Sequence, residues 1–480
     1  MTAIAFPLSS FPGARPPESS GRLINAYSQT LGPGNPAPVA HYRAPGISTF
    51  HTSAESGFRG ITEINGTVYA AFNGRLLKGT VASAPLLPVG SGTLAGTQPV
   101  FFARNNAVTP DQIVVTENGA FTFTPTTTPV AYNAAGNLPQ PVDVTFGLGF
   151  FFFGIANGRV YASDLNSTVV NPLNFATAEG KPDALKRVVY YGDRLYIFGD
   201  GSIEVWGAPI NPTGFPLTRM TMIPRGIAGP RCVTGYENGF DLGIFIVGND
   251  GKVSVLEGYT PVPLSTSDVE RDIAALADKS TIEMSCYFVS GRACIRVRCP
   301  SWTWVYDVQA KQWHERMSYL SLTSRSMATV FAYGTMWLCG DTDTGNLGRI
   351  REGLFTEFEK PLVFQVESVP SPSYPRPLTI RTVRFKFTTG VGVASGIDPI
   401  VTNPQVQVSW TDDGGLTWGY PVMRPLGRQA LFTDVVVNRT GMTGSHGRRW
   451  RLVVADPVHV ALMGGDMDIQ AREPAPRSAA

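Results

Sequence analysis

The sequence has 480 residues, enough for two or three domains, and its composition excludes a mainly helical protein. It contains 51 glycines and 38 prolines, which interrupt helices, and it is rich in Val, Phe, Tyr and Thr, which suit half-buried strands. Charged residues make up only 16% of the chain and the formal net charge is +2, which argues against a basic nucleic-acid-binding face. We therefore predict an all-β protein.

The low charge density has two explanations that the sequence does not separate. One is that much of the surface is buried against other chains, and the other is a large core with long loops of Gly, Pro and Thr.

Residues 1–57 are rich in Pro, Gly and Ser, and the prolines exclude a helix or a central strand. The segment is too long for a simple tail, so we predict an extended arm that packs on its own domain or on a neighbouring subunit. The longest apolar stretch of the chain, residues 146–155, is too short to cross a bilayer. It predicts a buried strand, and we expect no membrane segment.

Residues 58–355 repeat one motif: a β-rich run, an Asn-Gly or Gly-rich turn, a second β-rich run and an aromatic end. Asn65-Gly66 and Asn118-Gly119 are such turns, because Asn-Gly allows the positive φ that a tight hairpin needs. The repeats start roughly 40 to 50 residues apart, which is the spacing of propeller blades. We predict a β-propeller of six or seven blades, closed by a strand from the N-terminal arm. The repeats begin near residues 61, 101, 142, 188, 232, 284 and 327.

A second Pro-rich stretch, residues 360–377, marks a domain boundary. The strands predicted beyond it favour a separate β-sandwich. The predicted domains are therefore the arm at 1–57, the propeller at 58–355 and the sandwich at 356–480. A single helix is predicted at 265–279, with Asp268 as its cap. The predicted C-terminal strands are at 378–388, 405–410, 432–437, 450–455 and 467–471.

Residues 411–418 resemble the Asp-box hairpin of sialidases and related propellers, with Asp413, Gly415 and Trp418 at the matching places. In this hairpin the Asp accepts hydrogen bonds from turn amides and the Trp packs against the core. The segment occurs once, outside the repeats, and the arginines that a sialidase needs are scattered. We predict a structural role for the hairpin. A carbohydrate-binding or sialidase-like propeller is the alternative function.

No group of residues has the pattern of a catalytic, cofactor or metal site. The five histidines are far apart, with no carboxylate or cysteine at ligand spacing. The five cysteines are odd in number and lack paired spacing, which favours buried thiols over a disulfide framework. Acidic turns carry one or two carboxylates each, fewer than a calcium loop needs. The sequence therefore predicts a protein that is not an enzyme and has no catalytic residue, cofactor or metal.

One loop is a candidate interface. Residues 226–229 lie between two prolines and are flanked by two arginines. Two glycines between prolines indicate a fixed loop whose backbone approaches another group closely. The loop is either a crossover between blades that packs on its own propeller, or a contact with another chain. The candidate interface residues are Arg225, Gly226, Ile227, Gly229 and Arg231.

Several strings, in their order along the chain, resemble the tail hub, or nozzle, proteins of short-tailed, podovirus-type bacteriophages, also called packaged-DNA stabilisation proteins. The two most specific are Gly201-Ser-Ile-Glu204 and Gly226-Ile-Ala-Gly229, the latter followed by Cys232. The resemblance covers about residues 40–350 and is more diffuse beyond, where residues 411–419 are similar to a late hairpin of that family. Further matching strings are at residues 43–47, 74–79, 198–206 and 304–307.

The resemblance implies a structural protein of the virion tail, made in the host cytoplasm, that forms a homo-oligomeric ring of six copies. Such a hub extends the portal channel, retains packaged DNA and carries attachment sites. The implied partners are the head-to-tail adaptor of the portal and tail needle, tailspike or tail fibre proteins. No catalytic residue is implied.

The composition fits such a role. Double-stranded DNA passes through the channel of a hub without specific binding, and each Lys or Arg on a phosphate would add affinity and friction. A ring needs two different faces that meet head to tail, and a rigid β scaffold with long loops supplies such faces.

Overall fold

The structure is a computed structural model that describes residues 1–35, 37–178, 180–181, 183–207, 214–371 and 378–471. It divides into two compact units. The propeller unit is formed by Thr49–Pro300 and Arg325–Ile350, and the sandwich unit by Met1–Ser48, Ser301–Ser324 and Arg351–Ala480. Both units are built almost entirely from strands, which confirms the all-β prediction.

The N-terminal strands are β1 (Thr2–Ala3), β2 (Arg22–Ile24), β3 (Ala26–Thr30), β4 (Val39–Arg43) and β5 (Gly46–His51). The next strands are β6 (Gly60–Ile64), β7 (Thr67–Ala71), β8 (Leu76–Gly79), β9 (Leu87–Pro88), β10 (Phe101–Arg104), β11 (Gln112–Thr116), β12 (Gly119–Phe123), β13 (Val130–Tyr132), β14 (Pro141–Gly147), β15 (Phe150–Ile155), β16 (Arg159–Ser163), β17 (Val170–Thr177), β18 (Leu185–Tyr191), β19 (Arg194–Gly199), β20 (Ile203–Gly207), β21 (Thr218–Ile223), β22 (Val233–Thr234), β23 (Phe245–Val247), β24 (Val253–Glu257) and β25 (Thr260–Pro263).

After the helix α1 (Ser267–Ala274) come β26 (Glu283–Val289), β27 (Arg292–Arg298), β28 (Thr303–Asp307), β29 (Gln312–Glu315), β30 (Ser326–Ala332), β31 (Met336–Asp341), β32 (Leu347–Arg351), β33 (Thr356–Glu357), β34 (Lys360–Pro361) and β35 (Phe364–Glu367). The last strands are β36 (Leu378–Phe387), β37 (Gln405–Thr411), β38 (Val422–Pro425), β39 (Val435–Met442), β40 (Arg449–Val454) and β41 (Ala461–Ala471), with the short helix α2 (Pro399–Thr402) between the first two. Single 3-10 turns lie at Pro16–Glu18, Ala134–Gly136 and Lys279–Thr281.

The propeller unit is a series of antiparallel sheets in which each strand pairs with the next along the chain. Five sheets have four strands: β6–β9, β10–β13, β14–β17, β18–β21 and β22–β25. The hairpin β26–β27 and the three strands β30–β32 follow. The first strands of these seven groups line one central cavity, and β30 packs against β6, so the ring of strands is closed. The propeller therefore has seven blades, within the predicted range.

The Asn65-Gly66 turn and the closing strand agree with the sequence, whereas at Asn118-Gly119 only the glycine has a positive φ. Asn65 and Gly66 both have positive φ, at 49° and 74°, as a type I′ hairpin turn requires. The last blade is completed by β5, because the strand order in its sheet is β30-β31-β32-β5. The predicted arm thus supplies the closing strand, and this pairing covers what would otherwise be an open edge.

The long apolar run at 146–155 forms the end of β14, a turn and the strand β15, which is buried on both faces. Phe151 and Phe153 pack on one side in a cluster that includes Ile113. Phe152 faces the other side and packs in the cluster of Val188. Alternate residues of one strand therefore fill the spaces on both sides of a blade, which explains why the run is continuously apolar.

The sandwich unit consists of two sheets that share a core. One sheet has the order β3-β4-β41-β36-β39, with β1 beside β41, and the other contains β29-β2-β35-β40-β37-β38, with β28 beside β29. Phe385 of the first sheet packs edge to face on Trp450 of the second, with 5.7 Å between ring centroids. The predicted β-sandwich is confirmed.

The residues that make up each unit differ from the predicted division of the chain at positions 57 and 355. The arm strands β1–β4 belong to the sandwich unit, where β2 pairs with β35 from Arg22↔Glu367 to Ile24↔Gln365. The hairpin β28–β29 also belongs there, and Ile24 pairs with Glu315. Pairings between residues so far apart leave no periodic signal in the sequence. Residues 372–377 of the predicted boundary lie outside the described residues.

The predicted helix is shorter than expected and its cap is wrong. It spans Ser267–Ala274, and Thr266 occupies the N-cap position. Asp268 lies in the first turn instead, where it forms an ion pair with Arg271. In the part of the chain that the structure describes, no helix has the length and apolar character needed to cross a membrane.

Candidate functional site

The seven blades surround an axial cavity of about 290 Å³ whose wall is rich in charge. Burying a charge costs free energy unless it is paired and hydrogen-bonded, so the pairing of these side chains decides what the cavity does. The acidic and basic residues of the wall are Glu63, Asp143, Arg187, Arg231, Glu237 and Glu283.

Asp143 on β14 and Arg187 on β18 form a buried ion pair between adjacent blades, with 3.4 Å between Oδ2 and Nε. Asp143 also accepts hydrogen bonds from the backbone amides of Val144 and Val188, both at 2.8 Å. Arg187 donates to the hydroxyl of Tyr236. Burial raises the pKa of Asp143 to about 6, although Arg187 and the amides oppose this, so the carboxylate is ionised at neutral pH.

A second cluster is centred on Glu283, the first residue of β26. One carboxylate oxygen lies 3.1 Å from Nη1 of Arg231 and 3.9 Å from Nη1 of Arg298. The other oxygen accepts a hydrogen bond from the amide of Ala328. Burial lowers the pKa of Arg231, and Glu283 offsets this only in part. The single carboxylate of Glu283 is thus a charge partner of both Arg231 and Arg298.

The described wall of the axial cavity contains no histidine. Cys232 and Cys286 are not among the described residues that line the cavity. Burial raises the pKa of Cys232 to about 12 and that of Cys286 well above its usual value, so both remain thiols at neutral pH. Within the described ranges, no group of three or more His, Cys, Asp or Glu side chains is placed to hold a metal ion. The charged side chains link neighbouring blades.

The predicted interface loop packs closely on its own propeller. Ile227 is fully buried. A Cβ on Gly226 would lie 2.1 Å from the carbonyl oxygen of Asp200, and one on Gly229 would lie 2.9 Å from Cα of Ser280. Both glycines are therefore required by close backbone contacts within the propeller unit.

The two arginines that flank the loop have different environments. Arg231 lines the axial cavity, with 12% of its side chain exposed. Arg225 is 36% exposed and forms an ion pair with Asp250. Of the candidate interface side chains, Arg225 is the one accessible from outside, and the role of the loop in an interface stays a prediction.

The hairpin at 411–418 has the hydrogen bonds of an Asp-box. Asp413 accepts from the hydroxyl of Thr411 at 2.6 Å and from the amide of Thr417 at 2.9 Å. These bonds hold the pKa of Asp413 below its ordinary value. Trp418 is half-buried, and the guanidinium of Arg451 lies 3.6 Å from its ring centroid. The Asp is engaged in the turn, so the hairpin gives no support to a sialidase-like function.

Residues 33–354, about two thirds of the chain, match the family model described as bacteriophage P22 Gp10, beta-propeller. The chain belongs to this family of phage stabilisation proteins. The resemblance drawn from the sequence strings is therefore confirmed, and the matched residues include the whole of the propeller unit from β5 to β32.

Solved structures with a similar fold are distant in sequence. The WD40 β-propeller domain of Doa1 is 10% identical, with a TM-score of 0.41, over 64% of this chain and 96% of that one. The computationally designed Ika8 protein is 13% identical, with a TM-score of 0.37, over 72% and 99%. The extracellular domain of a putative one-component system, BT4673 of B. thetaiotaomicron, is 10% identical, with a TM-score of 0.43, over 72% and 45%. No curated protein matches the sequence.

The ion pairs of the axial cavity were not expected from the sequence, although a signal for them was present. Asp143, Arg187 and Glu283 each lie beside apolar residues near the start of the first strand of a repeat. A charge at the same place in several buried strands indicates a shared polar interior, because buried charges require partners.

Proposed function

We propose that the chain is the tail hub, or nozzle, of a short-tailed bacteriophage. In this role it is a structural protein without catalytic activity, and its copies form a ring that extends the portal channel and retains packaged DNA. The observation that carries the proposal is membership of the phage stabilisation family over residues 33–354. The propeller unit lies within these residues.

The axial cavity supports a channel formed between copies rather than through one propeller. The cavity measures about 290 Å³, and the Asp143–Arg187 and Arg231–Glu283 pairs line it. The major groove alone of a DNA duplex is about 12 Å wide, and the whole duplex is wider than its groove. The duplex is therefore far too large for this cavity. DNA must therefore pass outside the propeller axis, along a wall to which several copies contribute.

Exposed apolar side chains support assembly into a larger particle. In the sandwich unit Leu320 is 90% exposed, Tyr420 94% and Phe432 78%. In a hub built from several copies, neighbouring chains would cover such side chains wherever they form a contiguous apolar patch. We propose six copies of the chain, the portal adaptor, and tail needle, tailspike or tail fibre proteins as the partners.

The size of the particle with and without the adaptor tests this proposal. Mass photometry of the purified chain alone should show a monomer, and addition of adaptor rings should give a complex with six added copies. The adaptor alone and the adaptor mixed with an unrelated propeller are the controls. A stable two-fold dimer in the virion, or no binding to the adaptor, would contradict the proposed hub.

A further inference from the structure

Five Asn-Gly pairs lie in the propeller unit, and their environments differ. An Asn-Gly pair is chemically labile, because glycine has no side chain to keep its backbone nitrogen away from the side-chain amide of the asparagine before it. All five asparagines are exposed, so solvent access does not distinguish them. The contacts of each side chain and of each glycine nitrogen therefore decide which pair reacts. The asparagines are Asn65, Asn73, Asn118, Asn157 and Asn238.

Three of the asparagine side chains are held in place. Nδ2 of Asn118 donates to the carbonyl of Ala95 at 2.8 Å. Oδ1 of Asn157 accepts from the backbone amide two residues further along the chain, at 3.1 Å. The amide group of Asn73 packs on Gly57, where a Cβ would lie 2.1 Å from Nδ2. Each of these contacts opposes the rotation that would bring the side-chain carbon Cγ to the following backbone nitrogen.

Asn65 and Asn238 have free side chains, since neither side chain makes a hydrogen bond to the residues that the structure describes. Their glycines differ. Apart from its neighbours in the chain, a Cβ built on Gly66 would have no described heavy atom within 4 Å, whereas one on Gly239 would lie 2.2 Å from the ring of Phe331. Gly66 is therefore open to a ring closure, and Gly239 is fixed against a neighbouring strand.

Gly66 also has a base on its backbone nitrogen. The carboxylate of Glu63 accepts a hydrogen bond from the Gly66 amide through Oε1. Within the described ranges, the glycine amides of the other four pairs have no carboxylate acceptor. A base within hydrogen-bond reach activates a nucleophile, because it takes the proton as the new bond forms. Asn65 thus combines a free side chain, an open glycine and an adjacent base.

We propose that Asn65 is a site of self-modification, which deamidates through a succinimide with Glu63 as the general base. Glu63 takes the Gly66 amide proton while the Gly66 nitrogen attacks Cγ of Asn65, and the new C–N bond closes the succinimide ring. The bond from Cγ to the side-chain nitrogen breaks, and this nitrogen receives the proton and leaves as ammonia. Water then opens the ring at one of its two carbonyls. Asparagine and water become aspartate or isoaspartate and ammonia, with no change of oxidation state.

The two products differ in their effect on the first blade. Asn65 and Gly66 form a two-residue turn with positive φ at both positions, and Ile64 pairs with Thr67 across it. Asp-Gly suits this turn as well as Asn-Gly does. Isoaspartate adds a methylene to the main chain, so it disrupts the turn and the pairing of β6 with β7. This inference concerns the propeller itself and does not depend on the proposed hub function.

The first test compares the five pairs within the same folded chain. Peptide mapping by mass spectrometry during incubation of the full chain at neutral pH should show deamidation of Asn65 at least about tenfold faster than that of the other four asparagines. In concentrated urea, where the fold is lost and the five pairs share the same local chemistry, the five rates should converge. A rate at Asn65 in the folded chain that does not exceed the other four would overturn the proposal.

The second test removes the base. E63Q keeps the size of the side chain and should slow deamidation of Asn65 at least about tenfold, while the rate at Asn238 in the same molecules stays unchanged. E257Q is the matched control, because Glu257 is an exposed glutamate beside another two-residue hairpin turn, and it should alter neither rate. A rate at Asn65 that is unchanged or higher in E63Q would contradict the role of Glu63.

The third measurement concerns the products. After incubation, ion exchange separates the chains that carry isoaspartate at position 65 from those that carry aspartate. The isoaspartate form should have a lower Tm than the aspartate form, because only the former loses the turn. N65D supplies the aspartate form directly and should melt as the wild type does. Equal Tm of the two products would refute the predicted loss of the hairpin.

Discussion

At the scale of single residues, the Asp143–Arg187 pair joins two blades in the propeller interior. Both residues are buried, and each belongs to the first strand of a different blade. Removing one partner of a buried pair leaves the other charge without compensation, which costs more than the pair itself contributes.

We therefore expect R187M to lower the free energy of unfolding by about 3 kcal/mol at pH 7. The loss should shrink as the pH falls from 7 toward 4. Burial already raises the pKa of Asp143 to about 6 in the presence of Arg187, and a raised carboxyl pKa favours the folded state at low pH. Denaturant unfolding between pH 4 and 7 measures this. R194M, which alters an arginine near a turn, is the control and should change stability by less than about 0.5 kcal/mol.

Asp413 should show the opposite dependence on pH. Its hydrogen bonds hold its pKa below the ordinary value, so its contribution to stability is present above pH 4 and is lost as the pH falls through the lower folded pKa. The difference in stability between the wild type and D413N should shrink on acidification from about pH 5 to pH 2. Tryptophan fluorescence follows the transition, since Trp418 lies in the same hairpin. A difference that is constant over this range would show that the bonds to Asp413 contribute nothing.

At the scale of elements, variants of the 226–229 loop distinguish a role in packing within the propeller from a role in an interface. A Cβ on Gly229 would meet the backbone of Ser280, so we expect G229V to destabilise the propeller by about 1 to 3 kcal/mol. R225E should melt nearly as the wild type does, because the Arg225–Asp250 pair is partly exposed. If the loop also forms an interface, R225E should fail to bind adaptor rings. Calorimetry and mass photometry of both variants give the answer, with exposed Arg104 changed to Glu as the matched control.

Sequence patterns over a few residues predicted individual strands and turns well. They did not predict which residues pair when the partners lie far apart in the chain. The Asn65-Gly66 turn and the apolar run of β15 follow from turn chemistry and alternation, which act over a few residues. The pairing of Ile24 with Glu315 and the ion pair of Asp143 with Arg187 join positions far apart in sequence. Only the fold brings these residues together, so the sequence shows the residue types and not the partners.

At the scale of the whole molecule, we expect no enzymatic turnover. Purified protein should release no sialic acid from a fluorogenic sialoside and should cut no plasmid DNA above the buffer blank. The sequence has no pattern of a catalytic site, and no group of His, Cys, Asp or Glu among the described residues is placed to hold a metal ion. An active sialidase serves as the positive control. Turnover that follows the protein through size exclusion and disappears in D413N would revive the carbohydrate-directed alternative.

The closing strand β5 fixes the order in which the molecule is made. Its partner β32 begins about 300 residues later in the chain. At translation rates of roughly 5–20 residues per second, β5 waits about 15 to 60 s at the ribosome before its partner exists. During that time the N-terminal strand has an unpaired edge and the nascent blades cannot form a closed ring. Synthesis that stops before Leu347 therefore yields an open, aggregation-prone chain. The ring of blades closes only after the whole propeller has been translated.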